Sequence, residues 1–402
     1  MRVSTAQFYI QNGLQMSNQQ AGVNEQVNCI SSGKRVMTAK DDAVAFGTLA
    51  GYKNDLASIE QYQRNITQAE NHNSLIDTSL ANAEGIMNEL KDLMLQANNG
   101  AYSAEDLASL AQQANHSLQQ ILDIANTKDE TGGFVFAGYQ IDDAPFVLQA
   151  DNSVNYRGDN GVRELQIANN VAIASNQSGE QVFEKVPNAL GDFSASYNNN
   201  LSGIAVESAV IADRSVYDGT ANPADFTFNF TSATDLTITD GAGNVTNVTG
   251  YVPGQVIDDI PGLEVTLSGN PLPGDEFSLT PEQDISVFAT IKSAVDWINN
   301  KTSAGEDPQV QVDFNRTLEQ LTDAMNHLTS RRAQSGINLQ VIDRQKSNHL
   351  DTELYLASGR ASIEDLDFAK AISTFEQSKV ALQAAQQTFS QVQGLSLFNY
   401  IR

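Results

Sequence analysis

The position of proline constrains this chain most. All nine proline residues lie between Pro145 and Pro308, so residues 1–144 and 309–402 contain none. Because proline removes a backbone donor and clashes with the preceding helical turn, long helices can form in the two end segments and not in the middle. We therefore predict a mainly α protein, in which a long antiparallel helical bundle or coiled coil is built from both termini around an inserted β-rich middle.

Apolar residues recur every seven positions in both end segments. One repeat, from Ile59 to Ala97, is followed by Asn99-Gly100, and a further helix is predicted from Ala104 to Asn126. A sustained seven-residue repeat indicates supercoiled packing against other helices. In the carboxy-terminal segment the repeat predicts one last helix that carries Leu354, Ala361, Phe368, Phe375, Leu382 and Phe389.

The middle of the chain has the alternation of short β-strands. Residues 154–156 and 165–167 alternate on either side of a glycine-rich turn, which predicts a hairpin between them. Residues 226–231 alternate as well, residues 236–239 return through Asp240-Gly241-Ala242-Gly243-Asn244, and residues 263–267 lie between glycine-containing turns. The glycine-rich pentapeptide could imitate a calcium or phosphate loop, but a hairpin turn is the better interpretation because the flanking pattern of both loops is missing.

Charge is unevenly distributed along the chain. The net charge is −26, and residues 145–282 hold four Lys or Arg against eighteen Asp or Glu, whereas residues 1–42 and 355–402 are close to neutral. Such acidity argues against nucleic acid as a partner. The sequence has no signal-peptide core and no apolar run long enough to span a membrane, so we expect a cytosolic chain or one exported without a cleaved signal.

We find no constellation that predicts an enzyme, a cofactor site or a metal site. The histidines His72, His116, His327 and His349 lie on predicted helices without metal-ligand spacing, and we interpret them as surface residues. The Asp41-Asp42 pair follows Thr38 and is interpreted as a helix cap. The single cysteine, Cys29, is interpreted as a small buried hydrophobic residue.

Two groups of motifs resemble the signatures of bacterial flagellins. The first comprises ISSGKRV at 30–36 and AKDDA at 39–43, and the second is SIEDLDFA at 362–369. Both occur in the order found in that family. The last residues, FNYI at 398–401, resemble the family members that join the flagellar hook to the filament, whereas filament flagellins usually end differently.

The resemblance implies a structural role and an arrangement of domains. Residues 1–42 and 362–402 are expected to form a terminal coiled-coil domain that is disordered before assembly. Residues 43–186 and 283–361 are expected to form a helical core with a β-hairpin, and residues 187–282 an outer β domain. The apolar stripes near the two ends are the predicted assembly interface, with Met16, Val23, Ile30, Phe368, Phe375, Leu382, Phe389, Leu397 and Phe398 as its members.

The resemblance also implies the partners. They are the first hook-associated junction protein, flagellin, neighbouring copies of this chain, an export chaperone and the flagellar type III export apparatus, which would deliver the chain to the extracellular flagellum. No nucleic acid and no membrane insertion are expected. Two alternatives stay open: a filament flagellin, or a surface adhesin that uses the β insertion to bind a glycan or host surface.

Overall fold

The computed structural model describes residues 2–219, 225–301 and 307–398. Long helices lie at both ends of the chain and strands in between, which confirms the predicted fold class. The helices are α1 Arg2–Ser32, α2 Ala43–Ala97, α3 Ala104–Ala125, α4 Arg214–Gly219, α5 Val287–Lys301, α6 Pro308–Glu364 and α7 Phe368–Phe398, with a π-helical turn at Glu180–Glu184.

All strand pairs are antiparallel, as expected for sequential hairpins. The strands are β1 Phe146–Leu148, β2 Val154–Tyr156, β3 Glu164–Ala168, β4 Val171–Ala174, β5 Val186–Pro187, β6 Phe193–Asn199, β7 Ala205–Ile211, β8 Phe226–Phe230, β9 Asp235–Asp240, β10 Val245–Thr249, β11 Ile257–Ile260, β12 Leu263–Ser268, β13 Glu276–Pro281 and β14 Asp284–Ile285. A five-stranded sheet has the order β10-β9-β8-β13-β6, and a three-stranded sheet the order β11-β12-β7.

These two sheets share one hydrophobic cluster. On β8 the residues Phe226, Phe228 and Phe230 are buried, whereas Thr227 and Asn229 between them are partly exposed, as the alternation predicted. Phe228 stacks on Phe277 of β13 with ring centroids 4.7 Å apart. The cluster draws its buried members from residues 190–279, so the β-rich middle has a core of its own.

A second cluster joins the helices of the body. It contains apolar residues of α2, α3, α5 and α6 together with four aromatic residues that contact one another, Phe136, Phe146, Phe183 and Phe288. A smaller third cluster contains Ile66 and Ile342. The chain divides into two compact units, residues 1–64 with 344–402, and residues 65–343.

The predicted hairpin between residues 154–156 and 165–167 is wrong. Instead, β2 pairs with β1 and β3 pairs with β4. Residues 157–163 between them do not form a simple turn because they are hydrogen-bonded to another segment of the chain. The Asp159 carboxylate accepts hydrogen bonds from the N–H groups of Tyr139 and Gly161, at 2.9 and 2.6 Å. The β1–β2 turn is made instead around Asn152, which adopts φ 61°.

The predicted unbroken last helix is also wrong. α6 ends at Glu364 and α7 begins at Phe368. The Asp367 carboxylate accepts a hydrogen bond from the N–H of Lys370 at 3.1 Å, so Asp367 caps α7. The seven-residue spacing continues across this break, which is why periodicity alone could not locate it.

Candidate assembly surface

The two ends of the chain meet through a pair of loops. The Arg35 N–H donates to the Glu364 carbonyl at 2.7 Å, and the Leu366 N–H donates to the Gly33 carbonyl at 3.0 Å. Gly33 has φ +69°, a conformation in which a side chain would be strained. These reciprocal bonds fix the loop that follows α1 against the loop that precedes α7.

The Glu364 carboxylate lies close to three cationic side chains where these two loops contact each other. Its Oε1 lies 2.7 Å from Lys34 Nζ and 3.1 Å from Lys53 Nζ, and its Oε2 lies 3.7 Å from Arg360 Nε. The glutamate side chain is 6% exposed. The hydrogen bond from Lys34 is the main reason that the pKa of Glu364 lies below its ordinary value. The carboxylate therefore stays ionised and connects α6, α2 and the loop after α1.

Of the Asp41-Asp42 pair predicted to cap a helix, Asp42 does so, whereas Asp41 binds backbone groups of the turn that precedes α2. Asp42 Oδ1 accepts from the Ala45 N–H at 2.9 Å and so caps α2. Asp41 Oδ2 accepts from the N–H groups of Met37 and Thr38, at 3.0 and 2.9 Å. Both bonds lower the pKa of Asp41, and the bond from Thr38 contributes most. Both carboxylates thus have structural partners.

α1 and α7 pack as an antiparallel pair. The rings of Tyr9 and Phe389 meet edge to face with centroids 5.8 Å apart, and Lys34 forms an antiparallel bridge with Asp365. Most of the apolar residues predicted for the assembly interface are half-buried or buried within this unit. They are Met16, Val23 and Ile30 on α1, and Phe375, Leu382 and Phe389 on α7.

The remaining predicted interface residues differ from this group. Phe368 is 49% exposed at the start of α7, and its ring lies against Gly33. The side chains of Leu397 and Phe398 lie outside the described residues, as do residues 399–402 of the tail.

Other apolar residues of the same unit face solvent and were missed by the sequence interpretation. On the terminal helices these are Ile10, Leu14, Ile372 and Val380, each at least half exposed. Leu354 on α6, a member of the predicted seven-residue repeat, is also exposed, at 72%. The spacing of Ile10 and Leu14, which puts them on one side of a helix, could have shown them. The seven-residue repeat instead identified the half-buried residues Met16, Val23 and Ile30 on α1.

The terminal unit has little apolar interior of its own. All three hydrophobic clusters found among the described residues draw their buried members from residues 66–342, in the other unit. Contiguous exposed apolar side chains are typical of surfaces through which proteins interact. We therefore take the terminal unit as the candidate assembly surface.

The histidines correct the sequence interpretation in part. His72 and His349 lie on helices as predicted, but they are buried, at 3% and 6% exposure, whereas His116 is exposed. The Nε2 atom of His72 is 3.7 Å from carboxylate oxygens of both Asp129 and Glu130. Within the described ranges no group of three His, Cys, Asp or Glu residues is arranged to hold a metal ion. Cys29 is half-buried, not fully buried as predicted.

Two family models match the two ends of the chain. The bacterial flagellin N-terminal helical region matches residues 3–141, and the bacterial flagellin C-terminal helical region matches residues 318–401. Together they cover more than half of the sequence. The chain belongs to the bacterial flagellin family. As in the family models, the two matched regions of this flagellin-family chain are helical, and the β-rich middle lies between them.

Several relatives match the chain along its whole length. Flagellar hook-associated protein 3 of Escherichia coli is 23% identical over 398 residues, covering 99% of both chains. The protein of that name from Salmonella typhimurium is 23% identical over 403 residues, covering all of both. Flagellin D of Vibrio anguillarum is 23% identical over 399 residues, covering 96% of this chain and 93% of that protein.

Solved structures share the fold. The flagellar hook-associated protein-3 of Legionella pneumophila superposes with a TM-score of 0.66 at 25% identity, covering 78% of this chain and 98% of that one. FlgL of Xanthomonas campestris superposes with a TM-score of 0.64 at 24% identity, covering 77% and 99%. None of the helices in the described part of this chain is both long enough and apolar enough to cross a membrane.

Proposed function

We propose that this chain is a structural component of the bacterial flagellum that joins the hook to the filament. The observation that carries the proposal is the terminal unit, which combines both ends of the chain, exposes apolar side chains and lacks a hydrophobic cluster among its described residues. The full-length similarity to hook-associated protein 3 of two bacteria favours the junction within the flagellin family. We expect no enzymatic activity.

The terminal unit provides contacts between subunits in this proposal. An open helical lattice needs heterologous surfaces, in which different patches of neighbouring copies meet. Exposed residues such as Ile372 and Val380 would bury their apolar area against a neighbour, at roughly 25 cal/mol per Å². Residues 1–42 and 362–402 would thus form a terminal coiled-coil domain that becomes ordered on assembly, because neighbour contacts offset the loss of conformational entropy.

The remaining domains follow from the same proposal. Residues 43–186 and 283–361 would form the helical core, and the acidic residues 187–282 the outer β domain. Its partners would be the first hook-associated junction protein on the hook side, flagellin on the filament side and neighbouring copies of the chain. A chaperone and the type III export apparatus would deliver it to the outside of the cell without a cleaved signal.

A filament flagellin is the second candidate. The observation that favours it is the nearly full-length match to Flagellin D of Vibrio anguillarum. The two candidates differ in self-assembly, since a filament protein polymerises alone into long filaments, whereas a junction protein stops at short assemblies. Electron microscopy of the purified chain under polymerising conditions distinguishes them.

The decisive experiment is deletion of the gene in its own host. For a junction protein we expect hooks to remain intact while unpolymerised flagellin appears in the medium. Complementation with the wild-type chain serves as the control and should restore filaments. Filaments of normal length and number in the deletion strain would contradict the proposal.

A further inference from the structure

The turn between α2 and α3 contains one of the three Asn-Gly pairs of the chain, which lie at residues 12–13, 99–100 and 160–161. Asparagine followed by glycine is chemically labile, because the backbone nitrogen of the next residue can attack the side-chain amide where no side chain hinders it. The first pair lies in α1, whose order the proposed function ties to assembly. The other two pairs lie in the compact unit 65–343 and can be compared directly.

Asn99 and Gly100 form an open turn. Both residues are exposed, and a β-carbon added to Gly100 would meet no atom of the described residues within 4 Å beyond its chain neighbours. The Gly100 N–H has no acceptor among the described residues. Water can therefore reach this nitrogen, which is the nucleophile of the reaction, and can take up its proton.

The side chain of Asn99 folds back over the same turn. Its Oδ1 accepts a hydrogen bond from the Ala101 N–H at 3.1 Å, which is the pattern of an Asx-turn. Attack on Cγ puts negative charge on this oxygen, so the Ala101 N–H donates to the atom on which the charge develops. The turn thus keeps the side-chain amide against the backbone that follows it and makes its carbon a better electrophile.

Asn160 is exposed as well, but both of its reacting groups are occupied. The Gly161 N–H donates to Asp159 Oδ1 at 2.6 Å, so loss of its proton would leave two negative charges in contact. The Asn160 Oδ1 accepts the Ser178 hydroxyl at 2.7 Å, and the Asn160 side chain also hydrogen-bonds to Glu180. These bonds limit the movement of the side chain toward the Gly161 nitrogen, although the sequence around the pair is as labile as that at Asn99.

We infer that Asn99 is a modification site, at which the folded chain spontaneously loses ammonia and becomes aspartate or isoaspartate. The Gly100 nitrogen, after giving its proton to water, forms a bond to Asn99 Cγ. The side-chain nitrogen takes up a proton, its bond to Cγ breaks, and it leaves as ammonia. Water then opens the resulting succinimide ring at either carbonyl. The inference depends on the fold of residues 65–343 and is independent of the proposed function.

The selection of the site is tested by incubating the full-length chain at mildly alkaline pH and measuring aspartate and isoaspartate at each asparagine by peptide mapping with mass spectrometry. In the folded chain we expect Asn99 to react about tenfold faster than Asn160, because only Asn99 is free to reach the reactive geometry. In guanidinium chloride the two rates should lie within about threefold of each other, since the fold that separates them is lost. An Asn160 rate equal to that of Asn99 in the folded chain, or an unchanged tenfold ratio in the denaturant, would overturn the inference.

The chemistry is tested by Gly100→Ala. Gly100 does not adopt a positive φ, and the space for a methyl group is open, so the turn accommodates alanine. The methyl group hinders attack by the nitrogen, and modification at Asn99 should slow about tenfold while the circular dichroism spectrum stays unchanged. The matched control is Gly85→Ala, the same substitution at an exposed position of α2 with equally open surroundings, which should leave the rate at Asn99 unchanged. A wild-type rate at Asn99 in Gly100→Ala would exclude attack by this nitrogen and refute the inference.

Discussion

At the scale of single residues, one carboxylate connects the two ends of the chain. Glu364 holds Lys34 and Lys53 at hydrogen-bond distance, and its own carbonyl accepts the Arg35 N–H. Lys34 and Arg35 precede α2, whereas Glu364 ends α6. Removal of this carboxylate would leave the lysines without their anion and would loosen the contact between the loops.

We predict that Glu364→Gln destabilises the terminal unit by about 1–2 kcal/mol, because the hydrogen bonds to a charged group become neutral ones. The measurement is local hydrogen exchange in α2 around Lys53, whose side chain Glu364 holds. The matched control is Glu376→Gln, which removes an exposed carboxylate 3.4 Å from Lys379 and should change stability by less than about 0.5 kcal/mol. Equal effects of the two substitutions would count against the role of Glu364.

The same residue predicts a pH dependence. The pKa of Glu364 is lower in the folded chain than its ordinary value of 4.5, so its stabilising contribution is complete above that value. The contribution is lost as the pH falls through the lowered pKa. We therefore expect the stability difference between wild type and Glu364→Gln to be largest near neutral pH and to disappear in strong acid. A difference that persists unchanged at pH 2 would contradict this explanation.

At the scale of elements, α7 has two apolar faces that differ in exposure. Phe375 and Leu382 lie on its half-buried or buried side, whereas Ile372 and Val380 are 50% and 59% exposed. The inner side is covered within the chain, while the outer side faces solvent and belongs to the proposed subunit contact. A substitution on the inner side should therefore disrupt the pairing of α1 with α7, whereas a substitution on the outer side should disrupt the contact with a neighbouring subunit.

We predict that Phe375→Asp separates α1 from α7, because it puts a charge on their inner face. Thermal unfolding of the body should be unchanged, since its hydrophobic clusters lie elsewhere in the chain. Motility should be abolished, because the charge would lie on the inner face of the coiled coil that the two ends form on assembly. Gln377→Asp adds the same charge at an exposed position of α7 and serves as the control. Normal motility of the Phe375→Asp strain would refute the prediction.

For the outer side, we predict that Val380→Asp keeps the helix content of the monomer and loses assembly onto hooks. The exposed position accommodates a carboxylate in the monomer, but burial against a neighbouring subunit would disfavour it by several kcal/mol. Circular dichroism of the monomer and electron microscopy of hooks provide the two measurements. Wild-type assembly of this variant would show that the face is not a subunit contact.

At the scale of the whole molecule, the hydrophobic clusters of the described residues and the proposed assembly surface lie in different parts of the sequence. The helical body and the β-rich middle have separate clusters, which include Phe183 in one and Phe228 in the other. Among the described residues, the terminal unit contributes no member to either cluster. Loss of the ends should therefore remove assembly without removing the fold.

We predict that a chain restricted to residues 43–361 unfolds cooperatively, with a midpoint within a few degrees of the full-length chain, because it retains all three clusters. Differential scanning calorimetry measures the midpoint. The shortened chain should neither polymerise nor attach to hooks. A molten, non-cooperative fragment would show that the ends contribute to the core after all.

Periodicity and proline placement were sufficient for most helix limits, though not for the break between α6 and α7, and for much of the β-rich middle. The end of α2 at Ala97, the limits of α3 to within one residue, and the β9–β10 turn all agree with the prediction. These features are local, because side-chain spacing and turn residues act over a few positions. The apolar residues that repeat every seven positions on α1 and α7 could be predicted for the same reason. Their role in assembly is still a proposal.

What sequence alone determined is the class of fold, the family and the positions of the apolar stripes. Only the tertiary structure decided which stripe is covered within the chain and which is exposed, that β2 pairs with β1, and that the last helix breaks before Phe368. It also decided that Glu364 meets Lys34, more than three hundred residues away. Such contacts depend on how distant segments pack, and no local pattern records which partner a residue will meet in the folded chain.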